Sequence, residues 1–156
     1  MHALMHHADV FADYFQFYLC DEAYQTDTGV LWNDATTDRM LAVGPDLIAV
    51  ATARNMYVPV DLEVLGSEPI IDLNDWDQVI ECSITVPSGK LILIGCTDNP
   101  DKAERLEVTP GSYSARVSYA RLTELSDDGL EGNDLYRVQL WPGSLSEVKV
   151  LKRRRT

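Results

Sequence analysis

The sequence predicts a mainly β protein, an antiparallel β-sandwich of about eight short strands with one short helix. Three observations carry this. Apolar residues alternate with polar ones over several stretches of five to nine residues. Those stretches are separated by Pro, Gly, Asn and Asp turn signals about 8 to 15 residues apart. Only one segment combines a helix cap, early acids and a stop.

In chain order, "VFADYFQFYLC" is aromatic-rich and strand-like, with Phe11, Phe15, Phe17 and Leu19 on one face. "NDATTDRMLAVGP" is the helical segment. Asn33 or Asp34 caps it, Asp34 and Asp38 fall early, Met40 and Leu41 are apolar, and Gly44-Pro45 stops it. "DLIAVATA" is a short strand. "YVPVDLEVL" places Val58, Val60, Leu62 and Val64 on one face. Pro59 lacks a backbone donor, so this strand is expected at a sheet edge or with the missing N–H turned outward. "QVIECSITV" alternates Ile80, Cys82, Ile84 and Val86 with Glu81, Ser83 and Thr85, and Pro87-Ser88-Gly89 links it to "KLILIGC", apolar on both faces. That pattern reads as a hairpin whose second strand is covered on both sides. "RLEVTPGSYSARVSYARL" repeats it around Pro110-Gly111, giving a second hairpin with Tyr113, Ala115, Val117 and Tyr119 inward. "LYRVQLWPG" supplies a last strand, with Tyr136, Val138 and Leu140 on one face. Phe15, Phe17, Tyr18, Trp32, Trp76, Tyr113, Tyr119, Tyr136 and Trp141 are read as core-filling aromatics.

The 156 residues, 46% hydrophobic and 24% charged, suit one domain over residues 1–148 followed by a basic C-terminal tail, 149–156. No apolar run approaches the roughly 18 residues of a membrane span, and "MHALMHHADVF" lacks the layout of a secretory signal. A soluble, cytoplasmic chain with no membrane partner is expected. Cys20, Cys82 and Cys96 show no CxxC spacing and read as free thiols in a reducing compartment.

Chemistry is narrowed by histidine. His2, His6 and His7 are the three in the chain, all at an N-terminus expected to fray. Residues 8–156 therefore cannot build a Ser-His-Asp triad, a Cys-His pair or a histidine-dominated zinc site. No enzyme activity and no cofactor is expected.

The net charge is −12, yet "KVLKRRRT" carries Lys149, Lys152, Arg153, Arg154 and Arg155 and no acid. Residues 1–148 hold 8 basic and 25 acidic side chains, a balance of −17. Such a surface repels nucleic-acid phosphates and favours basic partners. The tail reads as solvated. Two acidic clusters are candidate partner-binding sites. "DLNDWDQVIE" gathers Asp72, Asp75 and Asp77, in an order that departs from a helical calcium loop. "SDDGLEGND" gathers Asp127, Asp128, Glu131 and Asp134 around two glycines that permit a tight loop displaying carboxylates. "GCTDNPDKAER" adds Asp98, placed to meet a partner's cation or to serve turn chemistry.

"VPSGKLILIGCTD", "VTPGSYSARVSY" and "LEGNDLYRVQLWPG" resemble segments of a family of small acidic bacterial proteins of uncharacterised function. More distantly, "DYFQFYL" followed by "LWNDATTDRMLAVGPDLIAVATARN" is similar in order and spacing to the competence protein J family, with Gln16, Trp32, Gly44, Arg54 and Asn55 at its marks. That family inhibits a DNA-entry nuclease. The resemblance implies a non-enzymatic binder whose partner is a nuclease with a basic groove. The expectation is thus a protein-binding module that inhibits or neutralises a nuclease or toxin through its acidic loops, with a basic protein partner and no direct nucleic-acid contact. The alternative is a calcium-dependent or small-ligand, sugar-binding sandwich using the same acids.

Overall fold

A computed structural model describes residues 3–155 as two stacked sheets. His2 lies outside the described residues. The strands are β1 (Leu4–Phe11), β2 (Gln16–Asp21), β3 (Leu41–Gly44), β4 (Leu47–Ala51), β5 (Tyr57–Val64), β6 (Gln78–Val86), β7 (Lys90–Gly95), β8 (Leu106–Glu107), β9 (Gly111–Ala120), β10 (Leu135–Pro142) and β11 (Lys149–Lys152). One sheet has six strands in the order β1-β5-β10-β9-β6-β11, the other five in the order β3-β4-β2-β7-β8. All pairs are antiparallel except β5 with β10, which run parallel with Val60 opposite Tyr136. The mainly β, two-sheet class read from the alternation holds, with eleven strands instead of about eight.

Alternation explains the core. Val58, Val60, Leu62 and Val64 of β5, Ile80, Cys82 and Ile84 of β6 and Val117 of β9 meet Phe17, Leu19, Ile48, Val50 and Leu91 of the other sheet. The outer face of the five-stranded sheet is also apolar. There Tyr18, Cys20, Ala49, Ile92 and Ile94 pack under Leu31, Trp32 and Ala103. Coverage on both faces is why "KLILIGC" has no polar alternation. Cys20 and Cys82 are buried free thiols, and loss of water pushes both up to about 12. Among the described residues, no helix is long and apolar enough to cross a membrane.

Several local expectations change. Neither Pro-Ser-Gly nor Pro-Gly makes a hairpin, because β6 and β9 lie in one sheet while β7 and β8 lie in the other. The chain turns a corner between sheets at both points. Val86 pairs with Gly111 and Lys90 with Glu107, so the two corners sit side by side. The Val108 amide donates to the Gly89 carbonyl at 2.8 Å and stitches them. Gly89 has φ +72, and a Cβ there would stand 2.8 Å from the Val108 carbonyl oxygen, so the corner requires glycine. The Tyr113 hydroxyl closes the second corner on the Thr109 carbonyl.

β5 is an inner strand, flanked by β1 and β10. Pro59 stands opposite Asp9, and β10 takes up the ladder only from Val60. The helical segment is one short α1 (Asp34–Asp38). Asn33 and Thr36 form a reciprocal capping box, after which Leu41 and Ala42 are drawn into β3 by a buried face. The aromatic stretch near the start is broken in two. A tight 3-10 turn, Asp13–Phe15, separates β1 from β2 and leaves Phe15 exposed, outside the core that Phe17 and Leu19 join.

The first and last strands are both paired into the six-stranded sheet. β1 pairs along its length with β5, so His6 and His7 lie in a strand instead of a frayed end. The basic end forms β11 on β6, with Lys149 opposite Glu81. His7 Nδ1 meets Asp61 across the β1–β5 ladder. That hydrogen bond, ahead of the nearby charge, raises the His7 pKa above 6.5. A raised folded-state value means the pair's contribution is complete below the unfolded pKa and is lost as pH rises through the folded one. NMR titration is expected to place His7 above 6.5 and Asp61→Asn to lower it, whereas an unmoved midpoint would show that the contact is absent in solution.

Candidate functional site

Strand register gathers the loops at one end. β5, β6 and β10 begin there, and β1 and β9 finish there, since Phe11 faces Tyr57, Gln78 faces Tyr119 and Leu135 faces Ala120. Both acidic clusters precede strands that start at this end, and so does the β4–β5 connection carrying Arg54.

The 124–134 loop carries several hydrogen bonds among its own polar groups. The Ser126 amide donates to the Glu131 carbonyl at 2.8 Å, the Gly129 amide to the Ser126 carbonyl at 2.9 Å and the Asn133 amide to the Glu124 carbonyl at 2.9 Å. Asp128 Oδ1 accepts the Ser126 hydroxyl at 2.6 Å and the Leu130 amide at 3.0 Å. The hydroxyl and then the amide hold the Asp128 carboxyl below the usual carboxylate range. Gly129, at φ +73, makes the tip possible.

Beneath the loop lies a buried latch. Arg54 Nε donates to Asp134 Oδ1 at 2.7 Å, and the two side chains are 7% and 0% exposed. Arg54 Nη1 donates to the Leu130 carbonyl at 2.9 Å. The second Asp134 oxygen accepts the Tyr136 hydroxyl at 2.7 Å, and that hydroxyl accepts the Ala53 amide at 2.7 Å. Burial, more than the neighbouring carboxylate, raises the Tyr136 pKa far above 10, so the phenol stays a donor. Asp134, expected on the displayed surface, is therefore interior. One oxygen faces a cation and the other a phenol, so its charge is spent inside the fold.

The remaining candidates divide. Asp127 and Glu131 are exposed on the loop, and Asp128 is exposed but bonded inward. Asp75 is exposed, while Asp72 and Asp77 are half-buried. The Asp77 amide donates to the Tyr119 carbonyl at 2.7 Å and its carboxylate accepts the Leu122 amide at 2.8 Å, fastening this loop to the end of β9. Trp76, 7% exposed, packs with Val79 and Ala120 and lies 4.4 Å beneath the Arg137 guanidinium. Asp98 is a turn residue, accepting the Gly95 amide at 2.8 Å.

The basic end enters the same region. Lys152 Nζ donates to the Leu73 carbonyl at 2.8 Å, Arg154 Nη1 to the Gln78 side chain at 3.0 Å, and Arg153 pairs with exposed Asp38 at 3.0 Å. With Asp75, Trp76, Asp77 and Leu122, residues 152–155 line a groove of about 670 Å³. The basic segment is thus a strand and a groove wall, with Lys152 and Arg154 held by neutral acceptors beside the Asp72–Asp77 loop. Among the described residues, no three His, Cys, Asp or Glu side chains converge as a metal would require.

No family model and no curated protein matches the chain. Among solved structures, it is similar to ComJ from Bacillus subtilis, described as an inhibitor of the DNA-degrading activity of NucA. The two share 15% identity over 90% of this chain and 96% of that one, with a TM-score of 0.65. It is also similar to a protein described as crocagin biosynthetic gene J, at 20% identity over 92% and 100% of the two chains and a TM-score of 0.63. At these identities the likeness shows a shared fold. The distant resemblance read in the first third extends, as fold, over nearly the whole chain.

Four of the five residues that carried that resemblance, all but exposed Asn55, have visible structural work. The Trp32 indole N–H donates to Gln16 Oε1 at 2.8 Å. A Cβ on Gly44 would stand 2.2 Å from Thr26 Oγ1. Arg54 forms the latch. Its partner could not be chosen from sequence, because Asp134 is one of 25 acids and 80 residues distant. Removing either latch partner strands a buried charge, at a typical cost of about 3–5 kcal/mol. Arg54→Ala and Asp134→Ala should each lower unfolding stability in denaturant by about that much, and the double variant by clearly less than the sum. Additive losses would show that the two side chains are not coupled.

Proposed function

We propose that the chain is a non-enzymatic protein-binding module that neutralises a nuclease or a comparable basic toxin through its acidic loop face. The observation that carries this reading is the latched 124–134 loop, which holds Asp127 and Glu131 outward on a scaffold fixed by a buried ion pair. Preorganised carboxylates bind a cationic groove without an ordering cost at the moment of association. Asp75, at the neighbouring loop, adds to the rim, and Asp72 and Asp77 support that loop from half-buried positions. The fold shared with ComJ supports the reading, since ComJ is an inhibitor and its target a nuclease. A cytoplasmic location suits three free thiols.

Rim charges act mainly on encounter and salt dependence. Purified protein is expected to bind NucA in calorimetry, at least tenfold more weakly at 500 mM than at 50 mM salt, and Asp127→Asn with Glu131→Gln should remove most of that dependence. Binding with the same affinity at both salt concentrations, or no loss in the double variant, would contradict an electrostatic loop interface.

A further inference from the structure

The loop end carries a second feature that the acids do not explain. Phe11 and Tyr57 pack across the β1–β5 ladder as a tilted pair with ring centroids 5.0 Å apart, and Tyr57 is 58% exposed. The turn that follows β1 adds Tyr14, 70% exposed, and Phe15, 51% exposed. Tyr14 has φ 57 and Phe15 φ 60, two consecutive bulky residues in the left-handed region. Such conformations cost on the order of 1–3 kcal/mol each and persist only where the surroundings over-determine them.

Here the surroundings do so from several sides. The Ala12 amide donates to the Met56 carbonyl at 2.9 Å, the Phe15 amide to the Ala12 carbonyl at 3.1 Å and the Thr52 amide to the Phe15 carbonyl at 2.9 Å. Asp13 accepts the Tyr14 amide through Oδ1 at 3.1 Å and the Thr97 hydroxyl through Oδ2 at 3.0 Å. The backbone is fastened inward while the rings face out. Glycine or asparagine would serve this turn better, because exposed rings return little burial energy to the fold. Their return lies in contact with another molecule.

The chemistry of that molecule follows from charge. Asp9, Asp13 and Asp98 lie on the elements that build the corner, and residues 3–15 and 55–64 contain no lysine or arginine. Carboxylates beside exposed aromatic faces match an arginine side chain, whose guanidinium stacks on a ring while pairing with an acid. The chain uses the same stacking internally, with Arg116 over Trp141 at 5.0 Å and Arg137 over Trp76 at 4.4 Å. Resting on the binding-module reading, we infer that Tyr14, Phe15 and Tyr57 form an arginine-stacking anchor for a basic partner protein, beside the carboxylates that steer it.

Fluorescein-labelled deca-arginine and deca-lysine separate the two contributions by anisotropy titration. The wild-type protein is expected to prefer deca-arginine about tenfold. Tyr14→Ser, Phe15→Ser and Tyr57→Ser together should erase that preference and keep the deca-lysine affinity, whereas Asp127→Asn with Glu131→Gln should weaken both peptides equally. No preference in the wild type, or a preference surviving in the ring-less variant, overturns the anchor. If the charge variant weakens neither peptide while the ring-less variant loses the preference, the anchor stands and the acidic-loop reading fails. Tyr14→Gly supplies the strain test, with a Tm no lower than wild type and a reduced preference. A fall in Tm would show that the ring serves the fold, and would overturn the inference.

Discussion

Taking an arginine and an aspartate out of water costs several kcal/mol per ion, and this is repaid only when geometry and hydrogen bonding are nearly complete. At the Arg54–Asp134 pair, the carboxylate and the Leu130 carbonyl take two of the guanidinium donors and the Tyr136 hydroxyl donates to the second carboxylate oxygen, at 2.7 to 2.9 Å. Through these few bonds the β4–β5 connection, the first residues of β10 and the acidic loop become one body. Tyr136 carries the constraint inward, with its ring edge-on to Phe17 at 6.0 Å and to Tyr119 at 5.9 Å. The loop's geometry is thereby coupled to the packing between the sheets.

Charge is divided by the fold in a way that composition conceals. A sequence with five cations in its last eight residues reads as an acidic body with a free basic tail. Pairing of β11 with β6 instead carries those cations to the Asp72–Asp77 loop, where the Leu73 carbonyl and Gln78 hold Lys152 and Arg154. The loop end is therefore asymmetric. One side mixes acids with arginines around a groove, while Asp127 and Glu131 stand exposed on the 124–134 loop. Such a distribution gives the loop end a field with direction.

What could be read in advance follows the range of the forces involved. Period-two alternation is local, so β5, β6, β9 and β10 and their inward faces were legible residue by residue. A cap at Asn33 or Asp34 was legible because capping is local, and the structure selects Asn33. Turn chemistry is local too, yet it specifies a bend and not the destination. Pro87-Ser88-Gly89 serves a corner between sheets as well as it would a hairpin, and only the pairing of β6 with β9 distinguishes them. Long-range pairing was out of reach, including the parallel β5–β10 ladder that makes Pro59 an inner-strand residue. At the site, the exposed acids of the 124–134 loop were visible in composition. Asp134 was grouped with them because burial is not local, and the left-handed turn at Tyr14 and Phe15 left no mark, since neither residue favours it.

The latch is tested most directly by hydrogen exchange on native Asp134→Asn, which keeps the side chain's shape and removes its charge. The amides of Ser126, Gly129 and Asn133, each bonded within the loop, are expected to exchange at least tenfold faster than in the wild type. The β6–β9 ladder should lose no more protection than global stability loses. Loop amides that keep their wild-type protection would show that the acidic face is held by its own turn bonds, and the central role of the Arg54–Asp134 pair would be wrong.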